Sequence, residues 1–152
     1  MDDLRLHKLP QCGKAFVAFF CIMVLVVMIW MALIGMMESG MLGDMASTIK
    51  QEGFSWAHFK ANMTWSLSHL GTQALLYFAV CLLFFMTTYS HKLKKALFWI
   101  LGILIGLHIF GIAGYGFCWA ANMLTYTMGP IIIVIFFLMA VMILVDLCKK
   151  RS

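Results

Sequence analysis

Apolar side chains fill four long runs of this chain, and polar residues collect in the segments between them. The runs cover residues 15–37, 63–89, 96–120 and 130–148. As a helix, each is long enough to cross a hydrocarbon core of about 30 Å. The pattern predicts an all-α integral membrane protein: a bundle of four transmembrane helices, forming one membrane domain over residues 1–152. The fourth run has a marked start, with Gly129 as its cap and Pro130 in the first turn, where a missing N–H costs nothing. The first run follows basic Arg5, Lys8 and Lys14, as the core of a secretory signal does. It exceeds the 7–15 residues or so of such a core, and no small-x-small site follows near Gly35, so it is expected to be a retained helix.

The second run carries a polar stripe. Asn62, Ser66, His69, Gln73 and Tyr77 recur at steps of four, three, four and four, which places them on one helical face. Polar groups in hydrocarbon are costly without partners, so this face must point at another helix, a cofactor or water. The segment 38–61 is more than a linker. Leu42, Met45 and Ile49 keep a helical spacing, and Phe54, Trp56 and Phe59 follow Gly53. This predicts a short amphipathic helix lying on the outer leaflet, either as an anchor or as a lid. Trp56, Trp65 and Trp119 fall at the same boundary, as interfacial aromatics do.

Charge sets the expected orientation. Arg5, Lys8 and Lys14 precede the first run, Lys92, Lys94 and Lys95 lie between the second and third, and Lys149, Lys150 and Arg151 follow the fourth. Only Lys50 and Lys60 fall on the other side. Nine basic residues against two put both termini in the cytoplasm. The chain is 64% hydrophobic and 11% charged, against about half and a quarter for soluble domains, so a soluble fold is excluded. The basic balance is a topology signal, and no nucleic-acid partner is expected.

Cysteine and methionine add little chemistry. The five cysteines contain no CxxC and form no disulfide framework. The 14 methionines raise the question of Cu(I), but only Met36, Met37, Met41 and Met45 cluster, with His58 nearby; methionine is also an ordinary gap-filling residue.

The candidate site lies in the runs themselves. His69 and His108 are the intramembrane histidines, and an ionisable group there is a functional candidate by default. Two imidazoles on neighbouring helices are a ligand set for haem b. Depths counted from the outer edges of the runs differ by about 9 Å, which disfavours a shared iron. Tyr115 falls nearer the level of His69. His69, Gln73, Ser66 and Tyr115 are then expected either to form a structural hydrogen-bond network or to bind a quinone head group. Gly102 and Gly106 form a GxxxG that predicts close helix packing. Asp146 is expected to pair with Lys149 or Lys150 at the cytoplasmic interface. No acid or Arg lies near the middle of a run, which argues against a proton pump or ion-coupled transporter. Asn62-Met63-Thr64 matches a glycosylation acceptor but sits at the membrane edge.

No Walker loop, HExxH or paired carboxylate is present, so no self-sufficient catalytic constellation is expected. These features predict a small non-catalytic subunit of a larger membrane complex of the respiratory or electron-transfer kind. It would contact the lipid bilayer and other membrane subunits or further copies of itself. A haem b- or quinone-binding electron carrier is the alternative, and a small transporter or channel the second. The expected location is a multi-pass position in a bacterial inner membrane.

Overall fold

The computed structural model describes residues 5–46 and 55–149. They are all-helical, with no strand. A 3-10 turn, Leu6–Lys8, leads into α1 (Gln11–Ala46), followed by α2 (Trp56–Phe85), α3 (His91–Ala113) and α4 (Trp119–Cys148). All four helices are long and apolar enough to cross a membrane.

Every helix overruns its apolar run at one end or both, because backbone hydrogen bonding does not stop where hydropathy falls. The segment expected to form a separate surface helix is one casualty. Residues 38–46 continue α1, and 56–61 open α2; Ile49, Lys50 and Phe54 lie outside the described residues. Pro130 is another. It does not start α4 but lies inside it, where it offers no N–H to the carbonyl of Tyr126. Spanning helices tolerate such a proline because neighbouring groups compensate locally.

α4 is the central helix, packing against α1, α3 and, less extensively, α2. α1 presents Val17, Cys21, Val24 and Met28 to the core, a four-three-four spacing that defines one narrow face. α4 answers with Ile132, Phe136, Met139, Ala140 and Ile143. The remaining apolar surface points outward. Only 17% of the most apolar stretch of α2, and 33% of that of α4, is buried. Phe16, Trp30, Phe78 and Phe110 are all exposed, an apolar surface rare on a soluble monomer and of the kind that lipid would cover.

Two turns hold the antiparallel helices in register. The α2–α3 turn is a polar knot. Lys94 is only 5% exposed, and its Nζ donates to the carbonyls of Phe85 (2.8 Å) and Thr87 (2.5 Å). It thus caps the C-terminus of α2, where carbonyls lack helical partners. Asp146 of α4 is 1% exposed. It accepts from Thr88 N at 3.0 Å and from the Thr88 hydroxyl. The expected partner Lys149 stands 3.6 Å away. Leu6 N donates to Met86 O at 3.1 Å, which ties the N-terminal segment to the same turn.

The α3–α4 turn is set by glycine. Gly116 has φ +83, a conformation other residues rarely adopt. The close helix approach is here too. A Cβ on Gly111 would lie 2.7 Å from Thr125 N. The expected GxxxG contact does not form. Gly106 faces open space, and Gly102 meets only the Tyr77 hydroxyl, 3.2 Å from where its Cβ would be. The small residues that matter pack α3 on α4, not α3 on α2.

Candidate ligand-binding site

The polar stripe of α2 faces α3. Tyr77 donates its hydroxyl to Phe98 O at 3.0 Å, and Ser66 donates to Ile109 O at 3.4 Å. Asn62 Nδ2 donates to Tyr115 O at 2.8 Å and to Ala113 O at 3.5 Å. These bonds close like rungs between two antiparallel helices. They also account for the glycosylation motif: the amide that would carry a sugar is committed to an interhelical bond.

That register brings His69 and His108 together. Their ring centroids are 6.4 Å apart, at an interplanar angle of 66°. The depth mismatch expected from the apolar edges is therefore wrong. Both helices leave the same short turn, so depth is properly counted from there. His69 lies about 24 Å from the end of α2 at Phe85, and His108 about 26 Å from the start of α3 at His91. Counting from the outer edges misled because those edges are not level: α3 stops at Ala113, soon after His108, whereas α2 starts at Trp56, more than three turns before His69.

The two imidazoles border a cavity of about 490 Å³, open on one side, at the end of the bundle remote from the basic α2–α3 turn. The N-terminal turns of α2 contribute His58, Ala61, Asn62 and Trp65 to its wall. α3 and the following turn contribute His108, Ile112 and Tyr115, and α4 contributes Thr125 and Tyr126. Trp65 stacks on His69 at 5.6 Å and 20°. The Tyr115 and Tyr126 hydroxyls bond each other at 2.5 Å. Asn122 Oδ1 accepts from Gly116 N at 2.8 Å and, with Asn62, fixes the turn that carries Tyr115.

Hydrogen bonding defines what the histidines offer. His69 Nδ1 lies 3.1 Å from Trp65 O. A carbonyl only accepts, so this nitrogen carries the proton and Nε2 of the neutral ring keeps its lone pair. His108 Nδ1 is buried and has no partner. Gly129 makes room for this ring; its Cβ would stand 3.4 Å from His108 Cε1. Among the described side chains, Gln73 Oε1 is likewise buried without a hydrogen-bond partner. Buried polar atoms are usually hydrogen-bonded, so a water or ligand group would stabilise either position by pairing it.

Of the residues expected to form the site, His69, His108 and Tyr115 line the cavity, while Gln73 lies one turn beyond His69 on the same helical face and outside the lining. The expected network among His69, Gln73, Ser66 and Tyr115 does not form: Ser66 bonds the backbone of α3, and Tyr115 bonds Tyr126. Tyr126, Thr125 and Trp65 were missed as site residues. Tyr126 falls in the stretch before Pro130, which hydropathy assigns to a loop. Among the described residues no group of three His, Cys, Asp or Glu side chains gathers to hold a metal. The methionine cluster near His58 lies outside the described side chains. No family model, no characterised protein and no solved structure matches this chain.

Proposed function

We propose that this chain is a multi-pass membrane protein, with both termini cytoplasmic, that binds the head group of a quinone-type lipid in its outer-half cavity. The observation that carries this is the pair of imidazoles, His69 and His108, on the wall of a cavity of about 490 Å³. Ligand pockets are mostly apolar, with a few convergent polar groups, and typically run from about 300 to 1,000 Å³. Trp65 and the two tyrosines supply flat faces and Ile112 an aliphatic one for an oxygen-bearing ring, and the imidazoles are placed to supply its polar contacts. The nine-to-two basic bias supports the orientation. A bacterial inner membrane is the setting we assign. A head-group site of this kind needs a redox partner, so the reading sits within the wider expectation of a non-catalytic subunit in an electron-moving membrane complex.

Calorimetric titration of the purified chain in lipid nanodiscs with a decyl-substituted benzoquinone tests the reading. Saturable binding should appear in the parent chain and vanish in Ala61→Trp, because Ala61 is an exposed cavity-wall residue and the indole would fill the space. Equal uptake by both, at the level of protein-free discs, would defeat the proposal.

The spacing of the two imidazoles favours one second reading. Rings ligating opposite sides of one iron at about 2 Å would have centres about 6 Å apart, close to the 6.4 Å observed. A visible haem spectrum that His69→Gln abolishes would replace the quinone reading with haem b.

A further inference from the structure

We propose that the cavity selects the reduced, dihydroxy form of its aromatic ligand over the oxidised dicarbonyl form. This rests on the quinone-type reading of the site and adds the ligand's hydrogen-bonding character to it. The fixed tautomer of His69 is the first observation. Its Nδ1 hydrogen is held by Trp65 O at 3.1 Å, so the neutral ring presents an acceptor at Nε2. A quinone carbonyl is an acceptor too and would set lone pair against lone pair. A phenolic hydroxyl donates to the same atom.

His108 supplies the second, independent observation. Its Nδ1 is buried and unpartnered, with the ring 6.4 Å from His69 between α2 and α4. A hydroxyl that reaches this nitrogen both donates and accepts, so it would pair with either tautomer of His108. A carbonyl satisfies it in only one. An acceptor set against another acceptor on the cavity wall forfeits a hydrogen bond and part of the desolvation cost of that group, whereas a hydroxyl at the same position recovers it. Sites built around a hydrogen bond reject analogues that cannot make it. No electron transfer is part of this inference; it concerns only which form binds.

Three ligands test it without altering the protein: the decyl benzoquinone, its hydroquinone kept anaerobic, and the dimethyl ether of that hydroquinone. The full chain in nanodiscs is titrated with each. The hydroquinone should bind at least about tenfold tighter than the quinone, the equivalent of one hydrogen bond made rather than left unmade. The dimethyl ether has the same ring but no proton to donate, and should bind no tighter than the quinone. His69→Phe should erase the preference, while His69→Gln should keep part of it through the amide oxygen. Equal or tighter binding of the quinone, or a dimethyl ether that matches the hydroquinone, overturns the inference and leaves the quinone-type site standing. Failure of all three ligands to bind overturns the site itself. If His69→Phe does not fold, the three-ligand ranking on the parent chain decides.

Discussion

Lys94 shows how a single residue can be misread. In sequence it is one of three lysines in a short basic turn, indistinguishable from Lys92 and Lys95. In the fold its ammonium is buried on the carbonyls of Phe85 and Thr87, so it serves as a helix cap while its neighbours stay exposed. Asp146 is the reverse case. Its spacing from Lys149 was readable, and the 3.6 Å pair forms. That pair is the weaker of its contacts, because Lys149 is exposed and such pairs contribute about 0–1 kcal/mol. The two bonds from Thr88 are the stronger ones, since they reach a buried carboxylate. Asp146→Ala should therefore lower stability by about 2–3 kcal/mol, read from thermal unfolding in detergent. Lys149→Ala should change it by less than about 1 kcal/mol. Equal losses would show that the ion pair, not the Thr88 contact, holds the turn.

Helix packing follows the same lesson one level up. The spacing of Gly102 and Gly106 matched a known association motif, yet Gly106 faces open space. Gly111 matched no motif and makes the tightest approach, against Thr125 of α4. Gly111→Ala should push α3 and α4 apart and cost about 1–3 kcal/mol, the usual range for overpacking. Gly106→Ala should leave stability unchanged or raise it by at most about 1 kcal/mol through helix propensity. Melting temperatures of the two variants in the same detergent decide the matter; the opposite ranking would refute the packing assignment. Helix ends were misjudged for a related reason. The first turns of α2 and α4 are polar or mixed, so hydropathy assigned them to loops. Those turns carry His58, Asn62, Thr125 and Tyr126, which is why much of the cavity wall escaped the sequence.

For the molecule as a whole, orientation is the first thing to measure. A reporter active only in the cytoplasm should work when fused after Ser152 and stay silent when inserted near Glu52, as the basic bias requires. Activity at Glu52 and silence at the C-terminus would invert the bundle and turn the cavity toward the cytoplasm. The number of helices, their apolar character and the inward-facing stripe of α2 were all legible in the chain. Each depends on local composition and on a period of 3.6 residues, both of which one strand of text carries. The partners of that stripe were not legible, because they depend on register between helices. Counting from the shared α2–α3 turn would have set His69 level with His108, but it required knowing that the turn begins just after Phe85, and hydropathy continues to Tyr89. The arrangement of α1 on α4, the burial of Lys94 and the cavity between three helix ends arise only when side chains distant in sequence compete for the same space. That competition is settled by packing and by the need of every buried polar group for a partner, and neither is written in the order of residues along any one helix.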